Sequence, residues 1–136
     1  MQGASRRDGI LTALAVAMGL MALSNFWKPV AQHFSPDSGV GFVFFGTRLH
    51  GGANALVGPL FGAVLALYAY GVWTMQRWVL PIACIYAVYV VGNLLLFMMI
   101  DPTAPSPIVM LPYAVVAIGV SGGGAYYLLQ HGDRLR

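Results

Sequence analysis

Formal charges interrupt this hydrophobic chain at only a few positions. Between them lie four stretches without Asp, Glu, Lys or Arg, at residues 9–27, 49–76, 78–100 and 102–132. A membrane-spanning helix needs about 20 apolar residues at a rise of about 1.5 Å per residue, and each stretch is about that long or longer. The pattern predicts four transmembrane helices in one membrane domain of residues 1–136, near residues 9–27, 54–75, 79–100 and 108–129.

Prolines and other helix signals indicate where these helices should begin and end. Pro29 lacks the amide hydrogen that a helix needs to continue, so we expect it to end the first helix. Pro81 and Pro112 are expected in the first turns of the third and fourth helices, where a missing amide costs least. Asn54 is expected to cap the second helix, because the glycines at 51–52 should prevent it from starting earlier.

The predicted connection at residues 28–53 is long for so small a protein. Long loops are usually functional or packed against the rest of the fold. Within it, residues 40–46 form an apolar run bounded by glycine, too short to span a membrane. Such a run could be a strand-like or re-entrant segment or the first part of a kinked second helix, and we favour a segment lying at the outer interface.

Composition excludes a water-soluble fold. The chain is 59% hydrophobic and 8% charged with a mean hydropathy of +0.75, whereas soluble domains carry about 25% charged residues. A net charge of +3, spread along the chain, is too small for a nucleic-acid surface. The single cysteine, Cys84, excludes an internal disulfide and a cysteine-built metal site. We therefore expect an all-α, antiparallel four-helix membrane bundle with a long outer loop between helices 1 and 2.

Basic residues outside the spans predict the orientation, because Lys and Arg are retained on the cytoplasmic side of short loops. Four crossings would place the N-terminus, the 76–78 turn and the C-terminus on one side of the membrane. That side would carry Arg6, Arg7, Arg77, Arg134 and Arg136, and the other side Lys28 and Arg48. We expect a multi-pass protein of the bacterial inner membrane with both termini in the cytoplasm.

Small residues at intervals of four suggest where helices pack closely, because lipid tails provide no hydrophobic drive for association. The clearest examples are Gly58, Gly62 and Ala66 in the second predicted helix and Gly119 and Gly123 in the fourth. Packing within the bundle is one interpretation of these stripes. Contact with another subunit is the alternative.

Ionisable residues inside membrane spans usually indicate function, and the four predicted spans contain no charged one. This argues against a proton-coupled exporter. No serine has His and Asp residues at a spacing that would indicate a catalytic triad, so we do not expect an enzyme. We expect no metal site and no haem, although His33 and His50 could form a pair of ligands, and His50 alone could bind a pigment.

The most suggestive polar cluster precedes the second predicted helix. Arg48, His50 and Asn54 place a guanidinium, an imidazole and a carboxamide beside two glycines. These groups suit a phosphate, a carboxylate or a quinone carbonyl. The alternative is that Arg48 pairs with Asp37, Asp101 or a lipid phosphate and only holds the loop in place.

A second polar set lies within the third predicted helix. Tyr86, Tyr89 and Asn93 follow at intervals of three and four, which places them on one helix face. Their polar groups need partners in an apolar environment, so we expect them to form hydrogen bonds between helices.

Four short runs resemble segments of small, uncharacterised bacterial four-span membrane proteins. The runs, all within residues 40–95, are Phe44-Phe45-Gly46-Thr47-Arg48, Gly58-Pro59-Leu60-Phe61-Gly62, Tyr68-Ala69-Tyr70-Gly71 and Arg77-Trp78-Val79-Leu80-Pro81. The resemblance implies four spans and brings no activity with it.

These observations favour a non-catalytic accessory or structural subunit of a larger bacterial membrane complex, respiratory or photosynthetic. The alternative is a binding protein for a lipophilic ligand, namely a quinone, lipid or pigment, at the outer membrane interface. A small transporter is the third possibility. The expected partners are membrane lipids and other integral membrane subunits, with no nucleic acid, and we predict no cofactor beyond such a bound lipid, quinone or pigment.

Overall fold

The computed structural model describes residues 7–38, 43–49, 51–102 and 105–136. It contains four helices and one small hairpin: α1 (Gly9–Phe34), β1 (Val43–Phe44), β2 (Thr47–Arg48), α2 (Gly51–Trp73), α3 (Val79–Ile100) and α4 (Pro107–Gln130). All four helices are long and apolar enough to cross a membrane. The predicted all-α transmembrane bundle is confirmed.

Helix α1 continues for seven residues beyond its predicted end at Trp27, so the prediction that Pro29 stops it is wrong. The proline ring frees the carbonyl of Asn25, yet neighbouring helices allow such a break within a membrane span. Here α2 packs against this point, because a Cβ on Gly58 would lie 3.3 Å from the Asn25 carbonyl oxygen and 3.4 Å from Pro29 Cγ. Close packing of α2 therefore maintains the helix past Pro29.

The starts of α2 and α4 also differ from the prediction. Helix α2 begins at Gly51, which has a φ of +57°, so Asn54 lies inside the helix and does not cap it. Helix α4 begins at Pro107, and this places Pro112 beyond its first turn. Pro81 lies in the first turn of α3 as predicted.

The connection between α1 and α2 is shorter than the predicted loop of 28–53, because both helices extend into it. Strands β1 and β2 pair antiparallel, Val43 with Arg48 and Phe44 with Thr47. The two residues between them, Phe45 and Gly46, have φ values of +45° and +83°. Two positive φ angles are what a type I′ hairpin turn requires. Within the apolar run of 40–46, the strand-like interpretation is confirmed at Val43–Phe44, while residues 40–42 lie outside the described residues.

Helices α1 and α2 form a closely packed antiparallel pair. A Cβ on Gly62 would lie 3.1 Å from Phe26 Cζ and 3.2 Å from the Ala22 carbonyl oxygen. Gly58, one turn earlier in α2, also lies close to α1. Ala66, one turn later, is exposed. The second close pair is α3 with α4.

The two pairs meet near one end of the bundle. A Cβ on Gly71 of α2 would lie 3.0 Å from Val79 of α3, and one on Gly124 of α4 would lie 2.7 Å from the Leu14 side chain of α1. Gly119 and Gly123 do not provide this contact: an added Cβ at either would meet no described atom within 4 Å. The packing glycine of α4 is Gly124, because this face of the helix is the one turned toward α1.

Asp8, just before α1, and the C-terminus lie at this same end, which we call the terminal end. Asp8 caps α1 by accepting a hydrogen bond from the Leu11 amide, and it also accepts one from the Tyr127 hydroxyl of α4. Both hydrogen bonds lower the pKa of the Asp8 carboxyl below 3.8, and the one from Tyr127 has the larger effect. Arg136 donates its amide to the Met75 carbonyl, at 2.8 Å, in the turn between α2 and α3. The opposite end, which carries β1 and β2, is the hairpin end.

Candidate functional site

A cavity of about 700 Å³ lies between the two helix pairs in the half of the bundle toward the hairpin end. The pairs are in contact at the terminal end, and beside the cavity Phe61 of α2 contacts Tyr89 of α3. All four helices contribute to its wall. The wall includes Met18, Met21, Asn25 and Lys28 of α1, Phe61 of α2, Tyr86, Tyr89, Asn93 and Phe97 of α3, and Met110, Tyr113, Val116 and Ala117 of α4. Val43 and Arg48 of the hairpin also line the cavity.

Most of this wall is apolar and aromatic. Methionines from α1 and α4 face aromatic rings from α2 and α3, and the polar groups are concentrated toward the hairpin end. Binding sites for small molecules are usually apolar cavities of about 300–1,000 Å³ with a few polar groups, and this cavity fits that range. Its size and lining suit a lipophilic molecule with one polar end.

The cavity opens between α1 and α4. Three residues of its wall on this side, Met21, Tyr113 and Val116, are 37%, 62% and 64% exposed. Helices α1 and α4 are both long and apolar enough to cross a membrane, and a bilayer around them would bring its hydrocarbon against this surface. A molecule dissolved in the membrane could enter sideways without passing through water.

Aromatic rings close the opposite side, between α2 and α3. Phe61 lies against Tyr89 with ring centroids 4.9 Å apart, and the hairpin adds Phe44 at 5.9 Å from Phe61 and Phe45 at 5.6 Å from Tyr89. Aromatic pairs at 4.5–7 Å contribute about 0.5–1.5 kcal/mol beyond the area they bury. The hairpin therefore forms part of the cavity wall.

Polar side chains of α3 hold the hairpin in this position. Asn93 accepts a hydrogen bond from the Gly46 amide at 3.0 Å and donates one to the Val43 carbonyl at 3.1 Å, while the Tyr89 hydroxyl donates to the same carbonyl at 3.3 Å. Non-helical backbone at membrane depth is tolerated only where protein or water satisfies it. Tyr89 and Asn93 thus bind the hairpin where we expected bonds between helices, and Tyr86 lines the cavity beside them.

Two cations line the hairpin end of the cavity. Lys28 of α1 donates a hydrogen bond to the Asn25 side chain at 3.1 Å, and Arg48 of β2 lies with its guanidinium carbon 5.6 Å from the centre of the Phe97 ring. None of the described residues that line the cavity is an Asp or Glu.

The structure separates Arg48 from Asn54, two of the three residues of the predicted ligand cluster. Arg48 lines the cavity, as a ligand contact would. Asn54 is fully buried between α1 and α2, where its amide donates to the Gln32 side chain at 2.8 Å. Gln32 also accepts from the Gly51 amide at 3.2 Å and so joins α1 to the start of α2. His50 lies outside the described residues.

Sequence reasoning missed Lys28 as a site residue. The residue had been assigned to a loop, because Pro29 was expected to end α1. One signal was available, since Asn25 and Lys28 are three residues apart and would share a helix face if the helix continued.

Among the described residues there is no group of three or more metal-ligating side chains. No match was found when the chain was compared with models of protein families, with curated proteins and with solved structures. Functional conclusions for this chain therefore depend on the cavity and its residues.

Proposed function

We propose that this protein binds a lipophilic ligand in the cavity between its two helix pairs. The supporting observation is an apolar cavity of about 700 Å³ that opens between α1 and α4. A membrane-dissolved molecule reaches such an opening directly. Once bound, its hydrocarbon would contact Met18, Met110 and the aromatic wall in place of the surrounding lipid. The described residues that line the cavity include no carboxylate, cysteine or histidine, and the proposed role is limited to binding.

The experiment is ligand extraction from the intact protein. We would purify the full chain in a mild uncharged detergent, extract it with organic solvent, and identify lipids, quinones and pigments by mass spectrometry. The proposal predicts one compound at a constant ratio close to one per chain. Extraction that yields only the average membrane lipids, in amounts that fall steadily with washing, would contradict it.

A matched pair of variants connects the ligand to the cavity. Ala117→Trp fills the cavity from α4, whereas Val115→Trp adds a similar bulk on an exposed part of the same helix that does not line it. We expect the first variant to lose the ligand and the second to retain it. Equal retention by both would place the ligand elsewhere on the protein.

An accessory role in a larger bacterial membrane complex, respiratory or photosynthetic, is a second proposal. It is supported by α4, of which only Ser121, Ala125 and Leu128 are buried. The exposed Gly119 and Gly123 would allow another helix to approach closely. Co-purification in mild detergent tests this role: a stable partner subunit is expected, and migration of the protein alone as a monomer would oppose it.

We also propose that the protein resides in a bacterial inner membrane with both termini in the cytoplasm. The support is the distribution of charge, since Arg7, Arg77, Arg134 and Arg136 are all at or next to the terminal end. Positive residues are retained on the cytoplasmic side.

A further inference from the structure

Lys28 and Arg48 are the two basic residues that the predicted topology assigns to the non-cytoplasmic side, and both line the cavity. The rule that favours basic residues on the cytoplasmic side opposes their presence there. Charged side chains in membrane spans are costly and usually functional. The placement of both at one end of one cavity indicates a shared role.

The direction of the Lys28 side chain supports that role. Lysine near the end of a membrane helix normally extends its ammonium toward the closer interface. Helix α1 ends at Phe34, so the closer interface lies beyond Lys28 in chain order. The ammonium instead binds the side chain of Asn25, one turn deeper, and Asn25 is 5% exposed. The positive charge is thus directed into the cavity.

An anion at this end of the cavity can form charge-assisted hydrogen bonds with both side chains. Phosphate and carboxylate groups are the anions that guanidinium and ammonium groups bind best. From this end the cavity runs toward Met18, ten residues before Lys28 and therefore about 15 Å away along α1. A hydrocarbon chain attached to the anion would lie along this length.

We infer that the ligand is an anionic amphiphile, whose phosphate or carboxylate binds Lys28 and Arg48 and whose hydrocarbon chain lies between α1 and α4. This inference depends on the proposed function, because it specifies the ligand of the same cavity. The headgroup lies at the hairpin end, and the chain passes Met21, Tyr113 and Val116 on its way into the bundle.

The test compares two lipids that differ only in headgroup. Full-length protein in uncharged detergent is titrated with phosphatidylglycerol or with phosphatidylcholine of identical chains, and bound lipid is counted by native mass spectrometry. We expect phosphatidylglycerol to bind at least about tenfold more tightly, since a charge-assisted hydrogen bond is worth about that factor. Equal binding of the two lipids would overturn the inference and leave the proposed function in place.

Variants assign the preference to the two cations. Lys28→Met and Arg48→Met should each weaken phosphatidylglycerol binding about tenfold without changing phosphatidylcholine binding, and Lys28→Arg should retain the preference. Arg77→Met is the matched control, because Arg77 lies at the turn between α2 and α3 and does not line the cavity. If Lys28 only compensates the partial negative charge at the end of α1, Lys28→Met will lower thermal stability with an unchanged lipid preference, and the inference fails.

Inorganic phosphate distinguishes a lipid from a free anion. We expect it to compete weakly, because it lacks the chain that the apolar wall would bury. Displacement of phosphatidylglycerol by inorganic phosphate alone, at concentrations that leave phosphatidylcholine bound, would show a site for the free anion and overturn the assignment to an amphiphile. If neither lipid binds and Ala117→Trp changes nothing, the proposed function itself has failed.

Discussion

At the scale of single residues, Gly46 is the most constrained position in the described chain. Its φ of +83° is one that side-chain-bearing residues rarely adopt, and a Cβ there would lie 2.6 Å from the backbone carbon of Leu96. No movement of a flexible side chain could relieve that overlap. Glycine is therefore needed both for the hairpin turn and for its contact with α3.

Replacing this glycine should separate the hairpin from α3. We expect Gly46→Ala to destabilise the protein by about 1–3 kcal/mol, as a strained backbone with a lost contact does, measured as a lower midpoint of thermal unfolding in detergent. Gly92→Ala is the control, because a Cβ there meets no described atom within 4 Å. A midpoint for Gly46→Ala as high as that of Gly92→Ala would contradict the hairpin geometry.

The Asp8 carboxyl predicts a pH dependence. Its pKa is lowered below 3.8 in the folded protein. The stabilising effect of the carboxyl is therefore complete at pH values above the pKa that the group has in the unfolded chain. The effect is lost as the pH falls through the lower folded value. We expect Asp8→Ala to lose about 1 kcal/mol at neutral pH, as removal of a helix cap does, and the difference from the wild-type protein to shrink below about pH 4. Thermal unfolding at several pH values checks this, and a difference that grows on acidification would contradict it.

Individual site residues were only partly predictable from the sequence. Arg48 could be identified because it stands close in sequence to His50, Asn54 and two glycines, a set of groups that suits an anion or a carbonyl. Lys28 could not, because its position depends on whether α1 survives Pro29, and α2 decides that through contact at Gly58. A contact between distant segments is not visible in a local pattern.

At the scale of elements, charge-free stretches identified all four helices, while their ends were less predictable. Residues 51–52 should oppose a helix start by propensity, yet hydrogen bonds from Gly51 and Asn54 to Gln32 stabilise one there. Tertiary contacts commonly override propensity. The hairpin was visible only as a short apolar run, since its place against α3 depends on Asn93.

Close packing of α1 with α2 gives a prediction at this scale. Gly62→Val should force the two helices apart, because even the first carbon of the new side chain would lie 3.1–3.2 Å from Phe26 and Ala22. We expect a loss of about 1–3 kcal/mol, typical of overpacking, read as a lower unfolding midpoint. Gly123→Val is the control, since the position is open. If both substitutions have the same effect, the α1–α2 contact is not close.

At the scale of the whole molecule, the sequence indicated four crossings but not how the two helix pairs separate. The contacts at Gly71 and Gly124 join the pairs at the terminal end, and the Phe61–Tyr89 contact joins α2 to α3 beside the cavity. Small residues recur along every helix, so their spacing does not show which ones are in contact. The cavity could therefore be recognised only in three dimensions.

Topology provides a prediction for the intact protein. Asp8 and the C-terminus lie at the same end of the bundle, and the basic residues there should keep that end in the cytoplasm. A fluorescent protein fused to either end should fluoresce, and an alkaline phosphatase fused to either end should be inactive, because it folds only after export. The opposite result at one terminus alone would require an odd number of crossings.

Photo-crosslinking tests most directly whether the cavity holds a lipophilic molecule. The purified protein is incubated in uncharged detergent with phosphatidylglycerol that carries a diazirine in one acyl chain, irradiated and digested. We predict saturable labelling, close to one per chain, on Met21 and on Tyr113 or Val116, the residues at the opening between α1 and α4. Labelling that never saturates and is spread over lipid-facing residues such as Leu20 and Ile108 would show a protein that only contacts bulk lipid, and would contradict the account.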